Sequence, residues 1–343
     1  MATDPALSFY SDNTAGVCPE LLAAIAAANG RQKSYGEDPW TQRLDEVFGA
    51  FFGAPVRAFV VTTGTAANAL SLATLTPPYG AVYAHEQAHV VQDECGAAEF
   101  FSGGARLALL PGEHGRLTAA ALAAALEATT PSVHAVQPAA VTLTQCTELG
   151  TCYRPAEVAA ICAVARSRGL RLHMDGARFA NALAFLDCHP GDVTWRAGVD
   201  VLSFGATKNG ALAAEAVVFF DEALVRDFEL RRKRAGHLLS KSRHAAAQLC
   251  AYVESGLWRA NAGRANQLAG RIGLCAGPRL LHPVEANELF LQLGADGRER
   301  LRTAGFGFYD WGAPALGQAR FVVSWDQDEA GVTALCEALQ ALQ

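Results

Sequence analysis

From residue 56 to residue 240, short apolar runs alternate with helix-forming ones. That alternation restricts the chain to an α/β architecture, a mostly parallel sheet whose strands are joined by crossover helices. RAFVVTT reads as a strand and TAANALSLATL as the helix after it. AVYAHE, RLALLP, VHAVQPAAVTLTQ, LRLHMD, VDVLSF and NGALAAEAVVFF read as further strands. Between them, VQDECGAAEFF, LTAAALAAALEATT and RPAEVAAICAVARSRG read as helices, the last with Pro155 in its first turn and Gly169 just past its end. DEALVRDFELRRKRAG is expected to be one long helix, acidic at its start and basic at its end. Past residue 260 the pattern changes. ANELFLQLG and ARFVVSW read as strands, and GRERLRTAG and DQDEAGVTALCEALQALQ as helices. We therefore expect an N-terminal segment over 1–50, an α/β domain over 51–250 and a smaller α+β domain over 251–343.

With 343 residues, 51% hydrophobic and 18% charged, the chain has material for about two domains. The net charge of −6 lacks the basic balance that binding a phosphate backbone needs, so no nucleic-acid partner is expected. No apolar run reaches the roughly 18 residues of a membrane span, and MATDPALSFYSDN lacks the order of a signal peptide; a cytoplasmic location without membrane attachment is expected. The nine cysteines are scattered, with no close CxxC pair, so no metal site is expected.

Lysine occurs four times, at Lys33, Lys208, Lys233 and Lys241. Three lie in polar or basic stretches and read as solvated charge. Lys208 falls between two apolar strands, where lost solvation frees an amine for Schiff-base chemistry; a strand-end lysine reaching to solvent is the alternative. Thr63, Gly64 and Thr65 lie where a strand turns into a helix, an arrangement that binds phosphate and also serves as an ordinary helix cap. Neither GxGxxG after a strand nor GK[ST] is present, which argues against nicotinamide dinucleotides and P-loop nucleotides. Asp175 closes the strand LRLHMD, with Arg178 three residues on and Lys208 33 residues on. An aspartate, a lysine and a phosphate cup at three strand ends are the parts that a pyridoxal 5'-phosphate site needs.

The segments SDNTAGVCPE, YGEDPWTQRL, TGTAANALSL, AHVVQDECGAAEFFSGG, TQCTELGTCYRP, HMDGARFANA, DVLSFGATKNG, SKSR and ARFVVSWD occur in this order along nearly the whole chain. Together they resemble the threonine aldolase and β-eliminating lyase family of fold-type I pyridoxal phosphate enzymes, within it the low-specificity L-threonine aldolase or phenylserine aldolase branch. The resemblance implies a large domain with a mostly parallel seven-stranded sheet and a homo-oligomer with its active site at a subunit interface. It implies retro-aldol cleavage of L-threonine, L-allo-threonine and related β-hydroxy-α-amino acids such as phenylserine to glycine and an aldehyde. Residue by residue, it makes Lys208 the Schiff-base lysine, Asp175 the partner of the pyridine nitrogen and His89 the ring stacked over the cofactor, where a group titrating near neutrality also assists proton transfer. Ser11, Arg178 and Arg320 match positions that hold the substrate carboxylate, and Tyr35 matches an active-site tyrosine. Lys241 and Arg243 match a region that reaches the cofactor phosphate from a neighbouring subunit.

The chain departs from the family in one respect. A second active-site histidine is common in the segment corresponding to TLTQCTELGT, where this chain has Cys146, with Gln145 and Glu148 nearby. The usual partner of the β-hydroxyl is absent, and discrimination between β-epimers is expected to be relaxed. Another lyase or a transaminase of the same fold is the nearest rival, because fold and cofactor do not fix the reaction. A DNA-binding regulator using RRKRAGHLLSKSR is a remote one, lacking the second short helix of a helix-turn-helix.

Overall fold

A computed structural model describes residues 4–342. A seven-stranded sheet is built from β1 (Arg57–Val61), β2 (Gly80–His85), β3 (Arg106–Leu110), β4 (Gln137–Thr144), β5 (Arg171–Gly176), β6 (Val201–Gly205) and β7 (Glu215–Phe219). Their spatial order is β1-β7-β6-β5-β4-β2-β3. Six strands run in one direction, and β7 runs against its neighbours β1 and β6. This is the mostly parallel sheet expected from the alternation.

The strands read as continuous apolar runs because both faces are covered. Val60, Leu172, Leu202 and Val218 point into one core. The residues between them in sequence, among them Phe59, Val61, Val201, Val217 and Phe219, point into another on the opposite face. Burying a side chain such as Leu202 or Phe219 contributes about 1.5–3 kcal/mol.

The helix Pro155–Ser167 begins on Pro155 and ends before Gly169, whose φ is +73°. The helix Ala119–Glu127 is capped by Thr118, whose Oγ1 accepts from the N–H of Ala121 at 3.1 Å. Two expectations are corrected. VQDECGAAEFF is two short helices, His89–Gln92 and Ala97–Ser102, because Cys95 and Gly96 adopt positive φ and turn the chain between them. The helix expected over DEALVRDFELRRKRAG is shorter, spanning Val225–Arg234 after the single turn Glu222–Leu224.

A second sheet contains β8 (Glu288–Gln292), β9 (Tyr309–Trp311) and β10 (Gln318–Val322), antiparallel in the order β8-β10-β9. Leu268 and Ile272 of the helix Leu257–Ala276, Leu301, Val332 and Leu335 pack with it into a core of its own. Among the described residues no helix is long and apolar enough to cross a membrane.

The carboxyl ends of β1, β2, β4, β5 and β6 lie along one edge of the large sheet, the edge at which open α/β sheets bind ligands. Gly205 ends β6 there, and a Cβ on it would lie 2.5 Å from the carbonyl oxygen of Ala177 and 2.8 Å from its Cα. The chain after Asp175 crosses the end of β6 only because residue 205 has no side chain. Gly205→Ala is expected to lower stability by about 1–3 kcal/mol, seen as a lower urea midpoint at unchanged slope.

Candidate active site

One cavity opens at this edge, and the strand ends supply its walls. From the end of β1 come Thr62, Thr63, Gly64 and Thr65; from beyond β2, His89 and Glu94. Beyond β4 come Cys146 and Glu148; from β5 and just after it, Asp175 and Arg178. The turn Thr207–Asn209, after β6, brings Lys208, and Glu215 lines the cavity from β7. Residues more than a hundred positions apart meet here because crossover connections return each strand in the same direction.

Lys208 Nζ has no hydrogen bond or ion pair among the described residues. Asp175 is buried and fixed at both oxygens. Oδ1 accepts from the N–H of Ala177 at 3.0 Å, and Oδ2 accepts from Asn68 Nδ2 at 2.8 Å. The same Asn68 amide donates to Glu94 Oε1 at 2.8 Å, and that oxygen lies 2.9 Å from His89 Nδ1. The hydrogen bond to Glu94 raises the His89 pKa above the usual imidazole value against the opposing effect of burial. Burial raises the Glu94 pKa in turn. With Nδ1 held by Glu94, the other ring nitrogen of His89 is left for the cavity. Glu215 is fully enclosed, and burial pushes its carboxyl up to about 7; its Oε1 accepts from the N–H of Thr207, beside Lys208.

At the start of the helix Gly64–Leu75, Thr63 Oγ1 accepts from the N–H of Ala66. The N–H groups of Gly64 and Thr65 precede the first intrahelical bond and have no acceptor among the described residues. A Cβ at Gly64 would meet nothing within 4 Å, so the turn has open space in front of it.

Arg178 lines the cavity within a buried charge cluster. Its Nε and Nη2 donate to the two oxygens of Asp12 at 2.7 and 2.9 Å, and Nη1 lies 3.2 Å from Glu288 Oε2. Burial alone would raise the Asp12 pKa, but the charges of Arg178 and Lys208 and the hydrogen bonds from Arg178 and Asn287 hold it at about 2.

The remaining sequence candidates lie outside the cavity lining. Arg320 binds the other oxygen of Glu288 at 2.8 Å. Ser11 caps the turn Asp12–Thr14, its Oγ accepting from the N–H of Asn13. Tyr35 is half exposed, at a φ of 57°, with Lys233 Nζ 4.9 Å from its ring centroid. Lys241 is exposed. Arg243 is buried, and its guanidinium donates to the carbonyls of Ala28 and Gly30 at 3.1 and 3.0 Å, past the end of the helix Pro19–Ala27. Gln145 also faces away, its side-chain amide paired with the backbone of Tyr153.

Sequence reasoning missed Asn68, Glu94, Glu215, Asp12 and Glu288. Asn68 and Glu215 carried a signal, polar residues inside the apolar helix TAANALSL and the apolar strand NGALAAEAVVFF.

A model of the family described as Beta-eliminating lyase matches residues 8–295. The chain belongs to this family. It is 44% identical over 346 residues to a low specificity L-threonine aldolase of Pseudomonas sp. (strain NCIMB 10558), covering 99% of each chain. It is 46% identical over 331 residues to a protein of the same description from Pseudomonas aeruginosa, covering 95% of each. The structure of a threonine aldolase from Leishmania major superposes with a TM-score of 0.91 at 28% identity, covering 98% of this chain and 99% of that one. The fold is that of fold-type I, and this family member is a pyridoxal phosphate-dependent carbon–carbon lyase.

The donor set of the cavity fits that cofactor. The Lys208 amine suits its aldehyde, the Asp175 carboxylate its ring nitrogen, the His89 ring its flat face, and the free N–H groups of Gly64 and Thr65 its phosphate.

Proposed function

We propose that the protein cleaves L-threonine, L-allo-threonine and related β-hydroxy-α-amino acids such as phenylserine to glycine and an aldehyde. The full-length likeness to two low specificity L-threonine aldolases carries this reading. The convergence of Lys208, Asp175 and His89 on one cavity supports it.

In this reading Lys208 would hold the cofactor through its amine, and Asp175, steadied by Asn68, would keep the ring nitrogen protonated. Bound there, pyridoxal phosphate supplies the sink for the electron pair left on Cα when the bond to Cβ breaks. His89, oriented by Glu94, covers the ring. Arg178 takes the substrate carboxylate from the cavity wall, and Arg320 steadies it through Glu288, the carboxylate that both guanidiniums share. Ser11 acts from the turn that carries Asp12. Thr63, Gly64 and Thr65 hold the phosphate.

We assign Tyr35 and Lys241 to the site of a second copy, since both are exposed and outside this chain's own cavity; the protein then works as a homo-oligomer, dimer or tetramer. The carbonyls bound by Arg243 support a structural role for it instead. A cytoplasmic location is supported by nine free cysteines, which a reducing compartment preserves.

Turnover of the four threonine stereoisomers tests the reading. A single hydrogen bond to the β-hydroxyl is worth only about 0.5–1.5 kcal/mol, so L-threonine and L-allo-threonine are expected to differ by about tenfold or less, with the D forms inert. Glycine and acetaldehyde should form in equal amounts. A preference of several orders of magnitude for one L epimer would contradict the relaxed selectivity, and amino transfer without aldehyde would contradict the reaction.

A further inference from the structure

Four carboxylates line the cavity, those of Glu94, Glu148, Asp175 and Glu215. Three are engaged: Glu94 by His89 and Asn68, Asp175 by Asn68 and the N–H of Ala177, and Glu215 by the N–H of Thr207. Glu148 has no hydrogen bond or ion pair among the described residues. Cys146, which stands where the family's second histidine is common, is a free thiol and a weak acceptor.

The segment carrying Glu148 is held from several sides. Thr147 and Thr151 close a tight turn through the N–H of Thr147 on the carbonyl of Thr151 at 2.8 Å and a hydroxyl contact of 2.9 Å. Both hydroxyls donate to the carbonyl of His114. The N–H of Cys152 donates to Glu285 Oε2, and Gln145 grips the backbone of Tyr153 from both ends of its amide. Gly150, at a φ of +74°, lies so close to Glu288 that a Cβ would sit 3.0 Å from its carbonyl oxygen. A turn fixed at this many points presents Glu148 to the cavity with little freedom of its backbone.

We propose that Glu148 is the catalytic residue that takes the proton of the substrate β-hydroxyl, a step that rests on the retro-aldol reading above. The O–H bond breaks, its proton passes to the Glu148 carboxylate, and its electron pair becomes the second bond of the aldehyde carbonyl. The Cα–Cβ bond breaks with its pair retained on Cα. Cα then takes up a proton as Glu148 gives one to solvent, so glycine and aldehyde together contain every atom of the substrate.

The surroundings suit the task. Burial and then the neighbouring Glu288 raise the Glu148 pKa above the usual carboxylate value, against the lowering effects of Arg178, Lys208 and His89. A more basic carboxylate is a better acceptor near neutral pH. Two oxygens on a flexible stem can also follow the hydroxyl of either L epimer, which accords with relaxed selectivity at Cβ.

The test uses holoenzyme with Glu148→Gln and Glu148→Asp, with cofactor loading checked by absorbance. In Glu148→Gln, kcat for both L epimers is expected to fall about 100-fold or more, with KM changed by less than about threefold. Exchange of the glycine α-proton in D2O, which involves no hydroxyl, should persist. Glu148→Asp should recover at least about tenfold of the lost kcat, because it restores a carboxylate. Cleavage by Glu148→Gln within about threefold of the unaltered enzyme would overturn the assignment, as would a parallel loss of glycine exchange, which marks a role in positioning or loading. An unaltered enzyme inert toward every β-hydroxy amino acid would overturn the aldolase reading along with it.

Discussion

Lys208→Ala is expected to reduce cleavage of L-threonine by about 10⁴-fold or more, the scale of losing the group that forms the covalent link to the cofactor. The argument rests on position. Lys208 follows β6, one strand over from Asp175, and its amine is free among the described residues beside a buried carboxylate, Glu215. The other three lysines do not line this cavity. Lys33 is exposed and paired with Glu37 at 3.4 Å, Lys233 lies over the Tyr35 ring, and Lys241 is exposed. Cofactor absorbance after gel filtration should fall with the activity. A variant that keeps both would place the reactive amine elsewhere.

Asp175→Asn is expected to retain the cofactor yet lose turnover by about 10²–10³-fold, since a neutral amide cannot stabilise the positive ring nitrogen that draws electrons from Cα. The substitution is nearly isosteric, and an amide oxygen can still accept from Asn68 Nδ2 or the N–H of Ala177, the two contacts that now fix the carboxylate. Loss of kcat with unchanged loading is therefore expected, read from rates and absorbance on one sample. Near-native turnover would show that another carboxylate faces the ring nitrogen.

The strands were legible because their chemistry is local. VDVLSF and RAFVV are short apolar runs between turn signals, and both became strands of the large sheet. A helix start was legible where a proline marked it, at Pro155. The helices Arg243–Glu254 and Leu257–Ala276 escaped because alanine in the first, and alanine and glycine scattered among polar residues in the second, blur the 3.6-residue period. Lys208, Asp175 and the turn at Thr63 were legible as site candidates because each stands at a strand end. The partners of these groups were not, since they are set by tertiary contact. Nothing local joins Asn68 to Asp175, 107 residues away, or Arg178 to Asp12, 166 residues away. Arg243 is a similar case: the resemblance matched it to a region that reaches the cofactor phosphate, and its fold neighbours are the carbonyls of Ala28 and Gly30.

Borohydride reduction of the purified holoenzyme, followed by peptide mapping, tests the central claim most directly, because it fixes the cofactor to whichever amine carries it. The account predicts a single pyridoxyl label on Lys208, in the peptide spanning the end of β6 and the turn Thr207–Asn209. A label on Lys33, Lys233 or Lys241 in place of Lys208, or no label on protein that is active and yellow, would contradict it.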